Sequence, residues 1–217
     1  MLAIIFDFDG VLVDSERLWA KKEKALLRKI IKGWSDEDQG RLMGLSRDDG
    51  FAFLQKHYAF PMHHKEFCAA YDRIAHEIYG EHVKLFAGAA RLLREISAAG
   101  IPLGIGSSSR LPWIMLALER FALDMLFTAV VSGDEFPGDG KPSPTIYRTV
   151  AEHLGVEPKA CLVIEDSTNG IRAAKAAGMR CIAFKSASNE HQDLSAADAT
   201  IDSLQLHLED LQKLTAA

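Results

Sequence analysis

Cysteine is scarce in this chain: Cys68, Cys161 and Cys181 are the only three among 217 residues. They are too few and too scattered for a disulfide framework or a zinc site, so an apolar core must hold the fold. Cys161 and Cys181 each stand beside an apolar run and read as buried thiols. Positive charge is also in short supply. Lys and Arg total 25 against 30 Asp and Glu, a formal charge of -5, so nothing favours a nucleic-acid backbone or an anionic membrane surface. Long hydrophobic runs are missing as well. The opening MLAIIF meets Asp7 with no basic segment, no long apolar stretch and no cleavage site around it, so no secretion signal is read. No run approaches the roughly 18 apolar residues of a membrane span, and the cytoplasm is the expected compartment. There is no internal repeat or low-complexity tract. What remains, 48% hydrophobic and 25% charged, is the make-up of a globular protein with room for a substantial core.

Ala3–Phe6 is a short apolar run ended by Asp-x-Asp-Gly, which predicts a buried strand followed by a tight turn. Residues 16–31 carry apolar side chains at helical spacing and stop at Gly33. Two or three more helices fit 36–80, where no strand is convincing, and Ser35 followed by Asp38 has the form of an N-cap. From about residue 86 the rhythm changes. Helices at 88–99, 111–122, 143–154 and 168–177 alternate with strands at 101–106, 128–131, 160–164 and 180–184. Gly100, Gly155 and Gly178 stand where a left-handed helix cap is wanted. This alternation predicts an α/β core with a parallel sheet covered on both faces. The core would comprise 1–15 and 83–217, interrupted after its first strand by an all-helical insertion, 16–82.

Open α/β sheets bind ligands beyond the carboxyl ends of their strands, so the residues after each apolar run are the informative ones. Asp7 and Asp9 follow the first, and Ser107, Ser108 and Ser109 follow LGIG. A glycine-rich loop bearing Lys141 follows the third, and Glu165 and Asp166, then Ser167 and Gly170, follow CLVI. Four carboxylates around one obvious cation call for a hard divalent ion with oxygen ligands, which describes Mg²⁺. Lys141 and the Ser107 hydroxyl suit a phosphoryl group, with backbone N–H groups near Asp9, Gly10 and Ser108 as further anion donors. One aspartate can attack phosphorus and form an acyl phosphate. The other, kept protonated by its like-charged neighbours, can serve the leaving oxygen as a general acid.

Together, Asp7-Phe-Asp9-Gly-Val-Leu-Val-Asp-Ser, Ser107 after a strand, Lys141-Pro and Glu165-Asp166-Ser-x-x-Gly resemble the haloacid dehalogenase-like superfamily. The resemblance is to its phosphatases and phosphomutases, with a Rossmann-like core and a helical cap, and it runs through essentially the whole chain. It implies Asp7 as nucleophile and metal ligand, and Asp9 as general acid/base with its carbonyl on the metal. Ser107 and Lys141 would hold the phosphoryl group, and Asp166, with Glu165 directly or through water, would complete the Mg²⁺ site. Asp9 separates the chain from the dehalogenase and phosphonate-cleaving branches, which lack the second aspartate. In the insertion, Gly44-Leu45-Ser46-Arg47 resembles the substrate loop of β-phosphoglucomutases, whose arginine binds a non-transferring phosphate. Where those mutases carry a histidine, this chain has Trp19, which favours a hydrolase.

Each motif also has a plainer reading. Asp7 and Asp9 could be turn residues, Ser107–Ser109 a helix cap, and Lys141 a solvated loop lysine. Arg47 could be an ordinary first-turn residue, and Trp19 could pack rather than line the site beside Gly10, Ser108, Ser109 and Arg47. His63-His64 reads as a surface pair, since adjacent positions face apart on a helix and no third ligand is near in sequence. The tail from 186 onward carries no motif from which chemistry can be argued. The expected function is a Mg²⁺-dependent phosphatase of a small phosphomonoester, a sugar phosphate by class, with no nucleic-acid, membrane or protein partner evident. A β-phosphoglucomutase-type phosphomutase is the alternative. A phosphoryl-receiving signalling domain is a remoter one, because it would need no helical insertion.

Overall fold

The structure is a computed structural model that describes residues 3–42 and 47–214. The chain divides into two compact units, Met1–Asp14 with Lys84–Ala217, and Ser15–Val83. The first is built on six strands: β1 (Ala3–Phe6), β2 (Leu103–Ser107), β3 (Ala129–Ser132), β4 (Cys161–Glu165), β5 (Arg180–Phe184) and β6 (Ala199–Ile201). All pair in parallel, in the order β3-β2-β1-β4-β5-β6. Every residue of β1, β2 and β4 is buried, as a parallel sheet covered on both faces requires.

Alternate residues of neighbouring strands, Ile5, Val131, Val163 and Cys181 among them, form one apolar layer. That layer packs against Ile146, Tyr147 and Val150 of α7 (Thr145–His153) and Ile171 of α8 (Thr168–Ala176). Each such side chain, fully buried, stabilises the unit by about 1.5–3 kcal/mol. Helices α5 (Ala89–Ala98) and α6 (Leu111–Arg120) pack on β2 and β3 respectively. The strand order reverses direction between β1 and β4, and such a switch point opens a crevice at the strand ends. The register pairs Phe6 with Ile164 there, so Asp7 and Glu165 are the next residues out on adjacent strands.

Two features depart from the sequence reading. Strand β2 starts at Leu103 rather than Ile101: Pro102 has no N–H for a ladder, though its carbonyl accepts from Ile4 N–H at 3.1 Å. The tail adds β6 and α9 (Leu208–Leu214) to the unit. Strand β6 has only three half-buried or exposed residues, too short to show a period.

The second unit contains α1 (Glu16–Ile30), α2 (Asp36–Leu42), α3 (Arg47–His57) and α4 (His64–Glu77), the last running into a π-helical turn, Ile78–His82. The described residues of this unit include no strand. Its core gathers Leu27, Trp34, Leu42, Leu54, Phe60, Phe67 and Tyr71. The rings of Phe67 and Tyr71 lie 4.2 Å apart, and those of Phe51 and Phe67 5.3 Å. Ser35 and Asp38 form the expected cap: each side chain accepts the other's backbone N–H, at 3.1 and 3.0 Å.

Candidate active site

The site starts from the joint between β1 and β4. Asp7 N–H donates to the Ile164 carbonyl at 2.9 Å, which fixes where Asp7 leaves the strand. Lys141, from the loop after β3, spans the joint with its ammonium 2.5 Å from Asp7 Oδ1 and 2.6 Å from Glu165 Oε1. Its side chain is only 7% exposed, so this is a buried ion triad rather than a screened surface pair. The ammonium also lies 4.8 Å from the ring centre of Tyr147, whose hydroxyl donates to Glu165 Oε1 at 2.8 Å.

One cation between two buried carboxylates cannot satisfy both equally. Burial pushes Asp7 up to about 8; Lys141 opposes that rise, and the charges of Glu165 and Asp9 reinforce it. Burial acts against Glu165 as well, but Lys141, Ser167 N–H and Tyr147 outweigh it and hold that carboxyl below its ordinary range. Lys141 is held above the usual ammonium range: burial works against its charge, and Asp7 and Glu165 overcome the burial.

Glu165 is fully occupied. Oε1 accepts from Lys141 and Tyr147, and Oε2 from Asp166 N–H, Ser167 N–H and the Ser167 hydroxyl. The sequence reading put Glu165 on the metal directly or through water, whereas both of its oxygens here face protein donors. A donor set of one or two carboxylates with a carbonyl still suits Mg²⁺, which keeps several water or phosphate oxygens.

Asp166 is buried and stands against Gly10. A Cβ on Gly10 would lie 2.1 Å from Asp166 Oδ2, and Gly10 has φ of +84°, so both space and backbone conformation demand glycine. The Asp166 loop is held from the tail. Asn189, itself buried, donates from Nδ2 to the carbonyls of Asp166 and Phe184, both at 2.8 Å. Gln192 Oε1 accepts from Thr168 N–H and its hydroxyl at 3.0 and 2.9 Å. The tail, in which the sequence shows no chemical motif, thus fixes the loop that presents Asp166.

Ser107 ends β2 and is buried, its Oγ accepting from Ser109 N–H at 3.1 Å, while Ser108 is exposed. Ser109, expected among the substrate contacts, donates its hydroxyl to Asp9 Oδ2 at 2.6 Å. Ser132, at the end of β3, donates to the Ser109 carbonyl at 2.8 Å. The triple serine is thus tied on one side to Asp9 and on the other to β3.

Two expected contacts belong to the helical unit. Trp19 gives its indole N–H to the Tyr79 hydroxyl at 2.9 Å, with its ring 6.0 Å from Tyr71, so its one donor is engaged in packing there. Arg47 opens α3, with Nε 3.4 Å from Asp48 Oδ1; Gly44, Leu45 and Ser46 lie outside the described residues. Tyr147, Asn189 and Ser132 were missed by sequence reasoning. Only the apolar spacing around Tyr147 hinted that it faces the sheet.

Residues 4–184 match the haloacid dehalogenase-like hydrolase family. The chain is 36% identical over 183 residues to a probable pseudouridine-5'-phosphatase of Drosophila melanogaster, covering 82% of this chain and 79% of that protein. Over 186 residues it is 31% identical to a phosphorylated carbohydrates phosphatase of Thermotoga maritima, with 84% of each covered. Among solved structures, CbbY from Rhodobacter sphaeroides in complex with phosphate is similar at a TM-score of 0.86 and 28% identity, covering 98% of this chain and 99% of that one. The family match runs from Ile4 in β1 to the end of β5 and takes in Asp7, Asp9, Ser107, Lys141, Glu165 and Asp166, while Asn189 and Gln192 lie beyond it. The chain belongs to the haloacid dehalogenase-like hydrolase family, as an enzyme of its phosphoric monoester hydrolase class.

Proposed function

We propose that this protein hydrolyses a small phosphomonoester, a sugar phosphate by class, through an aspartyl-phosphate on Asp7. The observation that carries the reading is the Lys141 ammonium placed between Asp7 and Glu165 at the switch point of the sheet. Relatives named for pseudouridine-5'-phosphate and phosphorylated carbohydrates support the substrate class.

In the first half-reaction an Asp7 oxygen bonds to phosphorus as the bond to the leaving oxygen breaks, and Asp9 gives that oxygen its proton. In the second, Asp9 takes a proton from water, whose oxygen bonds to phosphorus and releases Asp7 and inorganic phosphate. Lys141 and Ser107 orient the phosphoryl oxygens, and Ser109 orients Asp9. A divalent cation, Mg²⁺ by the hardness of the donors, would be held by the Asp7 and Asp166 carboxylates with the Asp9 carbonyl, neutralising charge on the phosphoryl group. Glu165, engaged with five donors, is assigned to anchoring Lys141 and the Asp166 loop. Trp19, engaged with Tyr79, does not offer the group that a mutase carries at that position, which favours water as the phosphoryl acceptor.

The test is phosphate release from a panel of sugar and nucleoside monophosphates, with and without Mg²⁺, on wild type and Asp7→Asn. Metal-dependent release that disappears in a folded Asp7→Asn protein is the expected result. An active Asp7→Asn enzyme would overturn the mechanism. β-Glucose 1-phosphate supplied with a trace of glucose 1,6-bisphosphate completes the panel: glucose 6-phosphate without free phosphate would replace the hydrolase by a mutase.

A further inference from the structure

We propose that the helical unit carries a second metal site, for a zinc-class divalent ion, formed by Asp48, His64 and Cys68. In sequence, His63-His64 reads as a surface pair without a third ligand. The fold separates their roles. His63 precedes α4, and its N–H donates to the Glu66 carboxylate at 2.9 Å. His64 opens the helix, Cys68 stands one turn further along the same face, and Asp48 approaches from the first turn of α3.

One carboxylate oxygen, one imidazole nitrogen and one sulfur all lie within 4.8 Å of one another. His64 Nε2 is 3.0 Å from Asp48 Oδ1, and Cys68 Sγ lies 3.7 Å from Nε2 and 3.8 Å from Nδ1 of the same ring. A tetrahedral ion with bonds of about 2.0–2.3 Å sets its ligand atoms about 3.3–3.6 Å apart. Two of the three separations are therefore near their bound values without a change of fold. The imidazole is steadied by the Phe51 ring, edge-on at 4.9 Å. The ion would replace the direct contact between His64 Nε2 and Asp48 Oδ1.

The donor types choose the metal. Thiolate and imidazole suit zinc, cobalt or nickel, and do not suit magnesium or calcium, which prefer oxygen. Access is open, since the side chains of Asp48 and His64 are 67% and 51% exposed. Cys68 is the one thiol of the three that is not buried, and solvent can fill a fourth position. Arg47 Nε, 3.4 Å from the same Asp48 oxygen, competes for it, which makes this a weaker site than a closed structural one. No residue of this cluster belongs to the proposed phosphatase machinery of the α/β unit, and the inference stands whether or not that reading does.

The experiment is a Co²⁺ titration of the reduced, chelator-treated full chain, followed by near-ultraviolet and visible absorption. A thiolate-to-cobalt charge-transfer band with tetrahedral visible bands, saturating at one equivalent, is expected. It should persist in Asp7→Asn and in excess Mg²⁺, because an oxygen-only site has no thiolate to produce it. It should vanish in Cys68→Ser and need at least about tenfold more cobalt in His64→Ala, a loss of one ligand worth about 1.4 kcal/mol or more. Zn²⁺ should bleach the band and raise the melting temperature of wild type but not of Cys68→Ser. All three side chains are at least partly exposed, so these variants fold, which circular dichroism checks. No charge-transfer band in wild type, or one that survives Cys68→Ser, overturns the site.

Discussion

Gly170 and Glu165 are packed so closely that a methyl group built on the Gly170 Cα would stand 1.6 Å from Glu165 Oε1 and 1.9 Å from its Cδ. The glycine lies on α8 and the glutamate at the end of β4, so the helix can approach the strand end only where no side chain intervenes. Glu165 cannot yield cheaply, because its five hydrogen bonds include the one that holds Lys141 beside Asp7.

Gly170→Ala should therefore damage stability and turnover together. Forcing a methyl group into this contact costs about 1–3 kcal/mol. Displacing Glu165 frees Lys141, and phosphate release should fall about tenfold or more, since each 1.36 kcal/mol of lost transition-state stabilisation is tenfold. Urea denaturation and steady-state kinetics of one preparation check both. An alanine variant matching wild type in both would mean that Glu165 has room to move.

Tyr147→Phe separates the two ways in which the tyrosine supports the triad. The variant keeps a ring beneath the Lys141 ammonium and removes only the hydroxyl that donates to Glu165. A hydrogen bond to a charged group contributes about 1.5–3 kcal/mol, so stability should fall by about that amount. Turnover should fall less than in Lys141→Met, which removes the cation itself. If Tyr147→Phe instead inactivated the enzyme as fully as Lys141→Met, the hydroxyl would have to touch the reaction.

How much of this was visible beforehand follows from where each signal is encoded. Strands β1 and β4 were legible because a strand buried on both faces is a continuous apolar run, and Asp7 and Glu165 were legible as the residues that end those runs. Tyr147 and Asn189 were not. Tyr147 lies 18 residues from its partner Glu165, and Asn189 23 residues from Asp166. Each pairing exists only after the parallel register has formed. Asn189 also sits in a polar stretch without periodicity, and a lone polar residue becomes informative only once its burial is known. The Asp48, His64 and Cys68 cluster was half visible: the spacing of His64 and Cys68 shows one helix face, but Asp48 arrives from a different helix.

In the helical unit, stability should respond to pH through Glu23. Its carboxylate accepts from the Tyr71 hydroxyl at 2.5 Å and from Gln39, whose own oxygen accepts from Trp34 at 3.0 Å. Burial raises Glu23 above its ordinary 4.5, and the bonds from Tyr71 and Gln39 recover only part of that rise. An acid raised in the folded state holds its proton more tightly there than when unfolded. Its contribution is complete below the unfolded pKa and fades as pH climbs through the folded one. Wild type should lose stability relative to Glu23→Gln as pH rises above the unfolded carboxyl value of about 4, the glutamine variant having no group to titrate. Denaturation curves of the two proteins across that range would diverge; parallel curves would show that Glu23 ionises without penalty.

The division of labour between the two aspartates rests on Asp9, and the leaving group tests it. Ser109 donates to Asp9 Oδ2 at 2.6 Å, which orients the carboxyl. If Asp9 protonates the departing oxygen, Asp9→Asn should slow an alkyl phosphate by about 10²–10⁴-fold, the usual contribution of a positioned general acid. An aryl phosphate with an acidic phenol leaves without help, so its first step should suffer far less, and a burst of phenol should outrun phosphate as the acyl phosphate accumulates. Ser109→Ala should show the same preference on a smaller scale, about tenfold on the alkyl ester, because the acid remains but is less well aimed. The ratio of the two substrates decides the matter, since misfolding or metal loss would lower both alike. Equal losses in the first step on both esters, in a folded and metal-loaded variant that shows no phenol burst, would remove Asp9 from the proton transfer and leave its carbonyl as its only part in the site.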